Sequence, residues 1–168
     1  TQTDRFAPVP VTGLIDVAMT SVGSRYTLAM KQDGTVWQWG RRLGLPDTST
    51  PDLVPVQTPG ISTASYIAAG LNTAYVVLGD GTVRWWGDFD GDFDTQSGYP
   101  TSTTTPLAYT ELTDMVAISA GNGFALGVDA IGRVFSWGRN DLGQLGTGIP
   151  FSASRPEEIA SLGTDGVG

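Results

Sequence analysis

Two residue types are missing from this chain of 168 residues, which contains no cysteine and no histidine. Without cysteine there is no disulfide, thiol nucleophile or cysteine metal site. Without histidine there is no Ser-His-Asp triad, imidazole base or ordinary zinc site. Catalysis would depend on Asp and Glu alone, so we predict a chain without enzymatic activity.

Basic residues are also few. Lys31 is the only lysine, the eight arginines are scattered apart from the pair Arg41-Arg42, and the formal net charge is −8. Nucleic-acid binding needs clusters of Lys and Arg that displace counterions from the phosphate backbone. The charge therefore argues against a nucleic-acid partner.

Long apolar runs are absent as well. No segment reaches the roughly 18 consecutive apolar residues that a membrane helix needs, and Thr1 to Asp4 do not begin a signal peptide. We expect no membrane span and a chain from which any signal peptide has been removed. An acidic, Thr- and Gly-rich chain with one lysine favours an extracellular or cell-surface location in a bacterial protein.

Glycine is abundant, and it marks an internal repeat. Three stretches, residues 23–40, 70–87 and 121–138, begin and end with glycine and share a further glycine eleven residues after the first. Each stretch ends in Trp-Gly, and the residues concerned are Trp39, Trp86, Trp137, Gly40, Gly87 and Gly138. Because the tryptophans occupy one repeat column, we interpret them as packed core residues and these six positions as structural.

The repeats predict an all-β fold. Each contains four short apolar segments, and the copies are spaced by 47 and 51 residues, which is typical of a β-propeller blade. The third segment is apolar on both faces, as expected of a strand inside a stack of sheets. A β-trefoil, which also has three four-stranded repeats, is the alternative fold.

Repeat boundaries follow from this frame. We predict one domain over residues 1–168, with repeats at about 12–58, 59–110 and 111–162. Residues 6–11 (FAPVPV) would be a spare strand that completes another blade. The fourth strands are predicted near 53–56, 107–110 and 156–160. The turn before each third strand is predicted to be a loop longer than two residues, with its glycine in the left-handed region.

The third copy closely resembles a known repeat. Residues 137–146 (WGRNDLGQLG), followed by Arg155-Pro156, resemble the regulator-of-chromosome-condensation repeat, as do residues 67–70 (IAAG) and 33–36 (DGTV). The resemblance implies a β-propeller, usually of seven blades. Three repeats then indicate a partial propeller or an excerpt from a longer one. The partner of such a chain would be another protein, or further propeller blades supplied by the same full-length chain or by other subunits.

The loops after Trp-Gly differ most between copies, so we expect binding there. The second copy carries an acidic run with two phenylalanines: Asp88, Phe89, Asp90, Asp92, Phe93 and Asp94. Four carboxylates suit Ca²⁺, although the run does not match an EF-hand loop; a protein-contact loop is the alternative. Arg41 and Arg42, at the equivalent place in the first copy, would either pair with this run or remain exposed.

These observations favour a non-enzymatic protein-binding or assembly module without a cofactor, unless the acidic run binds Ca²⁺. One alternative is a structural subunit of an extracellular assembly or filament. The other is a carbohydrate-binding propeller or trefoil.

Overall fold

The chain folds into twelve β-strands in a computed structural model. The structure describes residues 6–89 and 100–159. The strands are β1 (Val17–Val22), β2 (Tyr26–Lys31), β3 (Val36–Gly40), β4 (Asp52–Gln57), β5 (Ala64–Ala69), β6 (Thr73–Leu78), β7 (Val83–Asp88), β8 (Ser102–Tyr109), β9 (Met115–Ala120), β10 (Phe124–Asp129), β11 (Val134–Gly138) and β12 (Ala153–Glu158).

Each repeat forms its own sheet. The three sheets are four-stranded and antiparallel, and their strands lie side by side in sequence order. The first strands contact one another, β1 with β5 and β5 with β9, so they form the inner edge of the stack and the fourth strands form its periphery. One separate sheet per repeat is the propeller arrangement and not the trefoil one.

The predicted strands agree with the structure except at the periphery. β8 begins at Ser102 and β12 at Ala153, several residues before the predicted fourth strands. The early part of β8 is rich in exposed threonine, so it carries no apolar pattern, yet Thr103 pairs with Gly87 of β7. Residues 6–11 form no strand in the described part of the chain; that they complete another blade stays a prediction.

The sheets pack through two apolar interfaces. Between the first and second sheets, the large apolar side chains of β2 and Val36 of β3 share a core cluster with Trp86 of β7. Between the second and third sheets, the equivalent side chains of β6 and β7 share a cluster with Trp137 of β11. Both indoles are 1% exposed. Of the three tryptophans predicted to be core residues, Trp86 and Trp137 are buried and Trp39 is half-buried.

The hairpin turns are the predicted longer loops. In the first repeat, the amide of Gly34 donates to the carbonyl of Lys31 at 3.0 Å, and Gly34 has a φ of 76°. The carbonyl of Gly34 accepts from the amide of Ala64 at 3.0 Å, which joins the turn to the next sheet. Gly81 makes the same link to Met115, also at 3.0 Å. The turn glycines therefore connect neighbouring blades as well as neighbouring strands.

Candidate binding face after the Trp-Gly motifs

The glycine of each Trp-Gly motif fixes where the following loop leaves the sheet. Gly87 has a φ of 115°, and a Cβ there would lie 2.2 Å from the carbonyl oxygen of Asn72. The next amide, that of Asp88, donates to the same carbonyl at 2.9 Å. The arrangement recurs at Gly40 with Arg25 and at Gly138 with Gly123. All three loops therefore leave from equivalent places on one face, which we call the Trp-Gly face.

Arg41 joins the loops of the first and second repeats on this face. Its guanidinium donates to the Asn72 side chain at 2.5 Å and lies 3.0 Å from the Asp88 carboxylate, both in the second repeat. It also lies 2.6 Å from Asp47 in its own loop. The hydrogen bond from Arg25 to Asp47, at 2.7 Å, is the main cause that lowers the pKa of that carboxyl. The side chains of Arg41 and Asp88 are 14% and 19% exposed, so their contact is sheltered from water, whereas Asp47 is 53% exposed.

Asp88 and Phe89 begin the acidic run of the second repeat. The Ser102 hydroxyl donates to Asp88 at 2.6 Å, and the amide of Phe89 donates to the carbonyl of Thr101 at 3.0 Å. The Phe89 ring packs on Trp85, with centroids 4.6 Å apart. Asp88 and Phe89 are thus held against Thr101 and Ser102. The remaining predicted residues, Asp90, Asp92, Phe93 and Asp94, lie outside the described residues.

Arg42 contacts Asp52, and most of the predicted calcium site lies outside the described residues. Arg42 is about half-exposed and lies 3.4 Å from Asp52. Within residues 6–89 and 100–159, no group of three or more acidic side chains is arranged to hold a metal ion. The calcium site proposed for the acidic run stays a prediction, because most of its carboxylates are not described.

Asn140 organises the loop of the third repeat. It is 0% exposed, and its side-chain amide donates to the carbonyls of Ile149 at 2.6 Å and Phe151 at 3.0 Å. Its side-chain oxygen accepts from the amide of Leu145 at 2.9 Å. This one side chain therefore closes the loop on itself. Sequence reasoning missed Asn140 as a functional residue, although it lies inside the motif that carried the family resemblance.

The same loop exposes three apolar side chains. Leu142 is 88% exposed, Phe151 70% and Ile149 52%. Two of them are attached to backbone that Asn140 holds, so their exposure is built into a fixed loop. Large apolar side chains on a fixed surface loop are what a protein contact uses as anchors.

The turns at the opposite face are explained by local chemistry. The Asp33 carboxylate accepts from the hydroxyl and the amide of Thr35 at 2.6 and 3.0 Å, and these bonds lower the pKa of Asp33. Asp80 and Thr82 repeat the arrangement. Neither carboxylate is therefore placed as a catalytic group.

Separate four-stranded sheets stacked at their first strands, each ending its third strand in Trp-Gly, define a β-propeller repeat protein. Two models of the "Regulator of chromosome condensation (RCC1) repeat" match residues 115–144 and 132–167. These two matched stretches and the fold support an RCC1-type repeat propeller. Repeats of this type are typical of protein-binding modules.

Relatives with this repeat are larger proteins. The chain is 27% identical to the Ultraviolet-B receptor UVR8 of Arabidopsis thaliana over 98% of the chain and 39% of the receptor. It is 29% identical to the human E3 ubiquitin-protein ligase HERC2 over 87% of the chain and 3% of the ligase. It therefore spans less than half the length of either relative.

Solved structures show the same fold. Human WBSCR16 superimposes with a TM-score of 0.73 and 23% identity, over 86% of this chain and 40% of that one. Prp20p of Saccharomyces cerevisiae, whose structure was described with its binding to Gsp1p and histones, gives 0.75 and 19%, over 90% and 40%. Across the described residues, no helix has the length and apolar character needed to cross a membrane.

Proposed function

We propose that the chain is a non-enzymatic protein-binding module whose contact surface is the Trp-Gly face. The observation that carries the proposal is the third-repeat loop, where Asn140 fixes the backbone of Ile149 and Phe151 and the Gln144 side chain accepts from the amide of Leu142. A fixed loop loses little conformational freedom when a partner binds, so its exposed apolar side chains contribute more of their burial energy to affinity.

The charge of the chain favours a basic partner. The net charge is −8, and the sequence that follows the second Trp-Gly motif is acidic. A basic protein would be steered toward this surface at low salt. Prp20p, which shares the fold, has been described with binding to histones. Core histones are therefore a suitable basic probe.

The test is a calorimetric titration of the chain with core histones. We expect measurable binding that weakens as salt rises, and Leu142→Ala or Phe151→Ala should weaken it at least about fivefold, since interface anchors cost more than about 1 kcal/mol on truncation. Ile131→Ala is the matched control, because Ile131 is 79% exposed but lies in a turn at the opposite end of its sheet.

Two outcomes would contradict the proposal. Equal weakening by Ile131→Ala and Leu142→Ala would show that the contact does not use the Trp-Gly face. The second outcome is that histones do not bind at low salt and that a photoreactive residue at position 142 cross-links to no protein. This result would show that the Trp-Gly face is not a protein-contact surface.

A further inference from the structure

The chain contains three asparagines, and each lies in a different setting. The side-chain oxygen of Asn72 accepts a hydrogen bond from the Arg41 guanidinium at 2.5 Å. Asn140 is 0% exposed, and its side chain makes the hydrogen bonds that close the third-repeat loop. Asn122 is exposed, and its side chain bonds to no other residue in the part of the chain that the structure describes. Asparagine is chemically labile, and only the amide of Asn122 is held by no contact.

Asn122 is also the only asparagine that is followed by glycine. The backbone nitrogen of Gly123 can attack the side-chain carbon Cγ of Asn122 and close a succinimide ring. A Cβ on the attacking residue would crowd this ring, and glycine has none. Gly123 lies in the turn between β9 and β10 with a φ of 76°, a conformation that glycine adopts readily. Both features lower the steric cost of ring closure.

The amide of Gly123 is a buried donor that finds no acceptor within residues 6–89 and 100–159. In the Asp-Gly turns of the first two repeats, the amides of Gly34 and Gly81 donate to backbone carbonyls at 3.0 and 2.9 Å. A buried N–H without a partner costs free energy comparable to a lost hydrogen bond. Ring closure removes the amide hydrogen, so it sacrifices no hydrogen bond at Gly123, whereas it would at Gly34 and Gly81.

We propose that Asn122 is a site of spontaneous deamidation and isomerisation. The Gly123 nitrogen forms a bond to Cγ of Asn122, the Cγ–Nδ2 bond breaks, and the amide proton leaves with the side-chain nitrogen as ammonia. Water then opens the succinimide. Attack of water at Cγ gives aspartate with the original backbone, and attack at the main-chain carbonyl gives isoaspartate, in which the backbone runs through the side-chain carbons. Water is consumed, ammonia is released, and nothing is oxidised or reduced.

The modification changes how the third Trp-Gly motif is held. The carbonyl of Gly123 accepts from the amide of Arg139 at 2.8 Å, which fixes where the third loop leaves the sheet. The equivalent turn residues of the other repeats, Arg25 and Asn72, also bond to loops on this face through their side chains, which glycine cannot do. Isoaspartate at position 122 lengthens the backbone beside Gly123 and weakens its bond to Arg139. The reaction itself does not depend on the proposed binding at the Trp-Gly face.

The test is incubation of the 168-residue chain at mildly alkaline pH, followed by proteolysis and mass spectrometry. Hydroxide removes the amide proton, so conversion should rise with pH. We expect the mass shift of deamidation, and isoaspartate detected by enzymatic methyl transfer, in the peptide that contains Asn122. The peptides of Asn72 and Asn140 should stay unchanged. Asn122→Gln is the matched control, because its longer side chain places the amide carbon further from the Gly123 nitrogen, and its peptide should show no shift over the same time.

Hydrogen exchange separates the effect of the longer backbone from that of the added charge. Either product is more negative than the unmodified chain, so anion exchange isolates it. In the isoaspartate form the Arg139 amide should exchange at least about fivefold faster, a factor that corresponds to the net contribution of one hydrogen bond. Asn122→Asp carries the same charge on a normal backbone, so its Arg139 amide should exchange as in the unmodified chain.

The proposal is overturned if Asn122 of the folded chain is unmodified after an incubation that converts it in urea-unfolded chain. Equal conversion of Asn72 or Asn140 in the folded chain would contradict the assignment of the reaction to this turn. If isoaspartate forms but the Arg139 amide exchanges at its original rate, the proposed effect on the third Trp-Gly motif is wrong.

Discussion

The hydrogen bond between Trp86 and Gln38 provides a direct measure of how the first two blades are joined. The indole N–H of Trp86 donates to the side-chain oxygen of Gln38 at 2.8 Å, across the interface between the sheets. Trp86 is 1% exposed, so its N–H has no ready access to water. Gln38→Ala would leave that donor without its acceptor, and Trp86→Phe would remove the donor but keep an aromatic ring.

The expected changes in the free energy of unfolding follow from the burial of the Trp86 indole. Leaving a buried donor unsatisfied costs about 1–3 kcal/mol, so Gln38→Ala should lower the free energy of unfolding by about that amount. Trp86→Phe loses the hydrogen bond and some packing, and Trp86→Ala should cost about 3–5 kcal/mol. Because the bond is absent from both the Phe variant and the double variant, the Gln38 change should cost less in the Phe background. The coupling free energy should be about 0.5–1.5 kcal/mol.

The assay is urea unfolding of the four proteins of the cycle at one fixed concentration, because association shifts apparent stability. Gln57→Ala is the matched control: Gln57 is exposed on the outer strand β4, and its loss should change stability by less than about 0.5 kcal/mol. A coupling below about 0.3 kcal/mol would be within ordinary additivity and would refute the role assigned to this bond.

Two further predictions concern the glycines at positions 132 and 138 and the carboxylate of Asp129. Gly138→Ala should lower the melting temperature more than Gly132→Ala, because both need a left-handed backbone but only the Cβ at 138 meets a carbonyl oxygen, at 2.3 Å. Burial raises the pKa of Asp129, but hydrogen bonds from the side chain and amide of Arg133 outweigh it and lower that pKa below its usual value. Its stabilising effect is present above the unfolded pKa of about 4 and is lost as the pH falls through the lower folded value, so Asp129→Asn should flatten the acid side of the melting-temperature profile.

The frame of each blade could be predicted from the sequence because its positions are fixed by backbone geometry. Gly34 and Gly87 each need a left-handed backbone and the absence of a Cβ, which would lie 2.7 Å from the carbonyl oxygen of Ser62 at position 34 and 2.2 Å from that of Asn72 at position 87. Trp86 and Trp137 are buried by the adjoining sheet, so they recur in one column. These requirements produce a repeating pattern of residue types that can be recognised in a single sequence.

The fourth strands and the cross-blade contacts produce no such repeating pattern in the sequence. The start of β8 is exposed, so its pairing depends on backbone hydrogen bonds that any residue except proline can make. The contact of Arg41 with Asp88 joins residues 47 positions apart, and a sequence without the fold does not show which charges meet. The sequence raised this pairing as one of two possibilities, and the structure brings the two side chains together.

The position after each Trp-Gly motif shows how a fixed frame permits variable surfaces. The backbone amide there is always bonded to the preceding hairpin, so the side chain is free to differ: it is Arg41, Asp88 and Arg139 in the three repeats. Where neighbouring repeats carry opposite charges, Arg41 bridges to Asp88 and joins two loops. Arg139 instead forms an ion pair with Asp141 inside its own loop. The backbone bond does not depend on the side chain. The charge at this position can therefore determine whether an ion pair joins adjacent loops, and the blade that supports them is unaltered.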